Sequence, residues 1–277
     1  MDQFLRFPGF KLKALTLSYD DGTIHDRRLV SIMKKYGIKG TFNLNSNINF
    51  RPNPNKISLE EAYELFTDAG CELAVHGVEH LSLVEVAEPI MARDVLEDRV
   101  AMEKVAGHMI RGMAYANGSF NDKVVEVLRM CGIAYSRTTH STEKFAMPED
   151  WLRLDPTCHH DNPRLFDLLD EFLNYKADPK GYYWRYKPAL FYVWGHSYEF
   201  NNKNNWERIE AFCEKAGGHD DIWYATNIEI YEYVEAYRAL VFSADGTLVY
   251  NPTATEVYIN YFGKEFTIAP HSTVKIK

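Results

Sequence analysis

A chain of 277 residues is long enough for one large α/β domain and short for two. With 31 Lys and Arg against 39 Asp and Glu, the formal charge is −8, so no nucleic acid or anionic membrane surface is expected as partner. A chain that is 46% hydrophobic and 25% charged is no disordered segment.

The pattern along the chain alternates short apolar runs with amphipathic stretches. Ala14 to Tyr19 reads as a buried strand and Asp26 to Tyr36 as a helix, stopped by Gly37. Gly40 to Leu44 is the next strand. Ser58 and Glu61 form a capping box for a helix that ends at Gly70. Glu72 to Val75, Gly112 to Tyr115 and Ile133 to Arg137 read as strands. The helices between them run from Pro89 to Val105 and from an Asn121 cap to Gly132. Pro163 suits the first turn of a helix through Asn174. Ala189 to Trp194 is a strongly apolar strand, Asn205 to Lys215 a helix and Ile222 to Ala225 a strand. Thr226 and Glu229 make a second capping box, for a helix to Arg238.

About seven strands each precede a helix, which predicts a parallel sheet with right-handed crossovers, closed or partly closed as a barrel over residues 1–238. After Ala239 five short strands with turns at Asp245-Gly246 and Gly263-Lys264 predict a small antiparallel appendage, 239–277, packed on the barrel. The N-terminus shows no leader-like apolar run and nothing spans a bilayer, so a cytoplasmic setting is expected. There Cys71, Cys131, Cys158 and Cys213 are expected to be free and mostly buried.

Polar residues follow the strands where a parallel sheet gathers its active site, at the carboxyl ends. These are Asp20-Asp21-Gly22, His76-Gly77-Val78-Glu79-His80, Tyr115-Ala116-Asn117-Gly118 and His196. Two histidines and a carboxylate make a common metal set with positions left open for water and substrate. His76 and His80, four apart, come to one side of a helical turn. Of two adjacent aspartates, one can ligate while the other serves as a base. Each piece also has a plainer reading: Asp-Asp-Gly as a turn, the histidine pair as a helix face, His196 as a strand-end histidine. Cys158-His159-His160-Asp161 has a metal-like composition, but adjacent residues rarely ligate one ion together. It reads as a rim or substrate contact, or as a helix entry.

Ser18-Tyr19-Asp20-Asp21-Gly22, His76-Gly77-Val78-Glu79-His80 and Trp194-Gly195-His196 together resemble the motifs of the polysaccharide deacetylase family, the NodB-homology group or carbohydrate esterase family 4. The resemblance implies a distorted (β/α) barrel and a metal-dependent hydrolase that removes N-acetyl groups from an amino sugar or short oligosaccharide, releasing acetate. It implies Asp20 as general base and His196 as general acid. Asp21, His76 and His80 would hold a divalent metal, usually zinc. The oxyanion and substrate would be met near Tyr115, Asn117, His159 and Trp194. Two departures stand out. Ala114 replaces the third-motif Arg that pairs with the base, and Arg111 should point elsewhere. The fourth motif is not evident, with Arg137, His140 and His159 as candidate substitutes. Two other readings stay open: a cyclic imide or ureide amidohydrolase of the same fold, and a catalytically impaired glycan-binding protein. Self-association is undecided.

Aromatics make up 14% of the chain, and 23 of the 39 lie between Phe172 and Phe262. Tyr182, Tyr183, Trp184, Tyr186, Tyr198, Phe200 and Trp206 therefore read as a rim platform for sugar rings, against a core or subunit-contact role.

Overall fold

The computed structural model describes residues 2–176 and 187–277. Its order begins with β1 (Leu5–Arg6), β2 (Lys13–Asp20), α1 (Asp26–Lys35), β3 (Gly40–Leu44), α2 (Leu59–Asp68), β4 (Glu72–Val75) and α3 (Glu88–Ala106). It continues with β5 (Gly112–Ala114), α4 (Asp122–Met130), β6 (Tyr135–Arg137), β7 (Cys158–His159), α5 (Leu165–Leu173), β8 (Ala189–Gly195), α6 (Ser197–Asn202), α7 (Trp206–Ala216) and β9 (Ile222–Tyr224). It ends with α8 (Asn227–Arg238), β10 (Val241–Phe242), β11 (Leu248–Tyr250), β12 (Val257–Tyr261), β13 (Lys264–Ile268) and β14 (Thr273–Lys275).

The central sheet runs β6-β5-β4-β3-β2-β8-β7, and short β9 pairs with the start of β2. All its ladders are parallel. This is the expected curled (β/α) barrel. Strand β2 is buried along its whole length, as expected of a parallel strand covered on both faces of the sheet. One core cluster joins Leu15, Leu17 and Phe42 of the sheet to Leu29, Phe66, Val95, Leu128, Leu169 and Phe212 of the helices. Phe42 and Phe66 stack face to face with ring centres 4.1 Å apart.

The caps explain where helices start. Asn121 accepts from Val124 N–H at 3.0 Å, and Thr226 and Glu229 form the full reciprocal box. At Ser58 only half of the expected box exists. Its hydroxyl accepts from Glu61 N–H, but the Glu61 carboxylate turns to Arg27, 2.6 and 3.0 Å away. The helix expected from Pro163 starts two residues later, at Leu165.

The C-terminal strands form two three-stranded antiparallel sheets, β1-β12-β13 and β10-β11-β14. The N-terminal Leu5 and Arg6 thus pair with Ile259 and Tyr258, a link that two isolated residues cannot announce in sequence. Leu5, Phe7, Val249, Val257, Ile259 and Ile268 share a second core with Ile230, Tyr233 and Tyr237 of α8. Tyr233 is the pin: its hydroxyl donates to Arg6 O at 2.6 Å and accepts from Tyr258 N–H at 3.0 Å. The β12–β13 turn is centred on Phe262-Gly263, one residue earlier than expected, with both φ positive. All four cysteines are free. No helix among the described residues is long and apolar enough to cross a membrane.

Candidate active site and metal centre

Because the strands are parallel, their carboxyl ends share one rim. Asp20 ends β2, His76 follows β4, Tyr115 follows β5, Arg137 ends β6, His159 ends β7 and His196 follows β8. The chain turns sharply at the first of these. Asp21 has φ +81° and Gly22 φ +59°, so Asp21 is swung off the strand while Asp20 stays in it. A Cβ on Gly22 would sit 2.6 Å from Leu44 Cγ, so only glycine fits that turn.

Asp21, His76 and His80 converge as expected. His76 Nε2 is 3.9 Å and His80 Nε2 3.7 Å from Asp21 Oδ1, and all three donors lie within 4.8 Å of one another. His76 donates from Nδ1 to Ala114 O at 2.9 Å, which leaves the Nε2 lone pair facing the aspartates. Its backbone N–H donates to Asp98 Oδ2 at 3.0 Å, and Ser46 N–H to Asp98 Oδ1 at 2.7 Å. His80 is set by a left-handed residue at each end of its loop: φ is +79° at Gly77 and +54° at His80. A Cβ at Gly77 would also meet Asp94 Oδ2 at 2.3 Å. Gly77 is therefore required by this backbone. Two imidazoles and one carboxylate fit a divalent ion of the zinc type.

Asp20 is 3% exposed. Asn43 Nδ2 donates to its Oδ1 at 2.9 Å, and the wholly buried Arg137 guanidinium donates to its Oδ2. Burial alone would raise the Asp20 pKa. The charge of Arg137 first, then His76 and His196, outweighs that and holds the carboxyl down at about 2. Arg137 thus supplies beside Asp20 a positive charge that Ala114 cannot. Ala114 and Arg137 are direct register partners on β5 and β6, so the positive charge has moved one strand sideways at the same level. The indole of Trp194 lies over the guanidinium, 4.5 Å from ring centre to Cζ.

His196 Nε2 is 4.0 Å from both Asp20 Oδ2 and Asp21 Oδ2. On the other side, its Nδ1 is 2.8 Å from Glu199 Oε1, one turn on in α6. Burial disfavours its protonation, but the Glu199 bond and then the charges of Asp20 and Asp21 raise its pKa above the ordinary histidine value. A His-x-x-Glu spacing after a strand was the available signal for Glu199. Asn43, which acts from the neighbouring strand β3, and Asp98, which acts from α3, left none.

Several expectations fail. Tyr115 does not face the site: its N–H donates to Arg137 O at 3.0 Å and its hydroxyl to Leu152 O at 2.7 Å. Burial against Phe120 turns it into core. His140 is an exposed partner of Asp155, 3.1 Å away. Arg111, by contrast, points elsewhere as expected, over the Tyr231 ring. Phe200 and Trp206 are buried, so they are core rather than platform. Tyr198 does sit at the mouth, with its ring centre 5.1 Å from that of His196. Tyr182, Tyr183, Trp184 and Tyr186 lie outside the described residues. Asn117 is at the rim with φ +57°, its Nδ2 donating to Ser82 Oγ at 3.1 Å. His159 ends β7 instead of entering a helix, and its ring packs edge-on against Trp194 at 4.7 Å.

Barrel and site together define a (β/α)-barrel protein with a candidate metal centre at the carboxyl ends of its strands. Residues 9–136 match the polysaccharide deacetylase family model. No curated protein matches the sequence. A putative polysaccharide deacetylase from Mycobacterium smegmatis is similar in structure at TM-score 0.60 and 18% identity, over 85% of this chain and 94% of that one. The Xyl-CE4 domain of a multidomain xylanase from the Trinervitermes trinervoides hindgut metagenome matches at TM-score 0.51 and 16% identity, over 82% and 92%. The Streptococcus pyogenes deacetylase PplD, in complex with acetate, matches at TM-score 0.47 and 19% identity, over 50% of this chain and 61% of its own.

Proposed function

We propose that the protein is a metal-dependent N-deacetylase acting on an amino sugar or short oligosaccharide. The observation that carries this is the placement of Asp20 and His196, 4.0 Å apart, each beside the Asp21–His76–His80 group. One is a carboxylate kept ionised and the other an imidazole whose protonated form is favoured, which is the division a base and an acid need.

Asp21, His76 and His80 would hold the ion, zinc by donor type. It would supply Lewis-acid polarisation of the acetamide carbonyl and a water-derived nucleophile at neutral pH. Asp20 accepts the proton from the attacking water as its oxygen bonds to the carbonyl carbon. Arg137 keeps Asp20 ionised and aimed. His196 delivers the proton from Nε2 to the amine nitrogen as the C–N bond breaks, and Glu199 holds Nδ1 so that Nε2 faces the substrate. Acetate and a free amino sugar result. Tyr198 and Trp194 present ring surface beside His196, suited to the C–H face of a sugar.

The test is Asp20→Asn. It should retain the ion while turnover falls by about 10²- to 10⁴-fold, the usual contribution of a positioned base. Unchanged acetate release from N-acetylated oligosaccharides would remove Asp20 from the role.

A further inference from the structure

We propose that His159, His160, Asp161 and Glu199 form a second divalent-cation site, separate from the Asp21–His76–His80 group and of the same zinc-type chemistry. The four donors lie within 4.8 Å of one another. Glu199 Oε2 is 2.9 Å from His160 Nε2 and 3.4 Å from His159 Nε2, and Asp161 Oδ2 is 3.7 Å from His160 Nε2.

The side chain that points to a ligand is His160. It is fully buried, and neither ring nitrogen has a hydrogen-bond partner. Nδ1 is pressed against Gly195, where a Cβ would come within 2.0 Å. The ring is clamped between Tyr19 and Phe200, so only Nε2 has anywhere to act, and it faces the carboxylates. Glu199 Oε2 is likewise buried without a hydrogen bond, although Oε1 of the same group is fully used on His196. Buried polar atoms of this kind are almost always satisfied, so a pair 2.9 Å apart whose geometry makes no hydrogen bond calls for a third partner.

Two carboxylates and two imidazoles favour zinc over magnesium or calcium, which prefer oxygen alone. Lys203 marks the demand for positive charge. Its ammonium contacts Asp161 Oδ2 and lies 3.8 Å from Glu199 Oε2, on a half-exposed side chain. His159 joins through Nε2 by giving up the bond its Nδ1 accepts from Asp161 N–H. Adjacency in sequence argued against shared ligation. The turn after β7 resolves that by bringing the two rings to 4.3 Å, while Glu199 arrives from α6.

The probe is Co²⁺ titrated into Asp21→Asn/His80→Gln, in which the first group is disabled. One equivalent should bind, with the visible absorption of four-coordinate cobalt. Adding Asp161→Asn or His159→Ala should abolish that signal, and adding Lys203→Gln should tighten binding several-fold. No binding, or binding indifferent to these three changes, overturns the proposal. Should the double variant fail to fold, the wild-type chain decides: two zinc ions per chain by elemental analysis, falling to one in His159→Ala, support the site. One ion in both refutes it. None of these readouts depends on deacetylase activity.

Discussion

The Asp20–Arg137 pair is buried, charged on both sides and unsupported by solvent. Such a pair is costly to break from one side, because the survivor is left charged and dry. Arg137→Met should therefore cost about 3–5 kcal/mol of unfolding free energy, measured by urea titration. It should also move Asp20 up from about 2, so that the acid limb of kcat/KM shifts to higher pH. An unmoved limb would mean that Arg137 does not set the charge of the base. Glu199→Gln acts in the opposite direction on the other partner. Removing the bond that raises His196 lowers its pKa, so the alkaline limb should shift to lower pH and kcat should fall. The sequence displayed Asp20, Asp21, His76, His80 and His196 because each sits beside a recognisable strand end. It offered Arg137 only as one of three candidate substitutes and hid its pairing, since Arg137 reaches Asp20 across strands that no local pattern connects. Tyr115 misled for the same reason: its side of the rim depends on where β6 lies, and β6 takes its N–H.

At the scale of elements, short loops do the positioning. The β4–α3 loop carries His76 and His80 and is fixed from α3 by Asp94 and Asp98. Gly77→Ala would force a side chain into Asp94 at a left-handed φ. It should cost about 1–3 kcal/mol and weaken metal binding at the first group, both readable from thermal unfolding with and without zinc. Wild-type stability and affinity would show the loop to be free to adapt. Seven strands of the parallel sheet and the helix starts at Ser58, Asn121 and Thr226 were legible from apolar runs and cap residues, whereas the two-residue β7 was not. The pairing of β1 with β12 was not, since its two residues carry no periodicity. Leu5→Ala tests that tie. It should destabilise by about 2–5 kcal/mol through the cavity it leaves, while metal binding at the rim is unchanged.

Over the whole molecule, buried carboxyls set how stability varies with pH. Burial pushes Asp26 up to about 8 and Asp98 and Glu72 up to about 7. Between about pH 4 and pH 8 the folded chain therefore binds more protons than the unfolded chain, and unfolding free energy falls as pH rises. Asp20, held low, acts the other way only below about pH 4, where its stabilisation is lost as pH falls toward 2. Urea midpoints of metal-free protein should accordingly decline from pH 5 to pH 8. A flat or rising profile would show that these carboxyls are ionised in the fold. The net charge of −8 adds self-repulsion with the same sign. The measurement that bears most directly on the site is acetate release from N-acetylglucosamine oligomers, before chelation, after it, and after zinc is restored. The Asp21–His76–His80 group predicts release that disappears with chelator and returns with zinc, and that Asp21→Asn never shows. Release that survives both chelation and Asp21→Asn would contradict the metal centre.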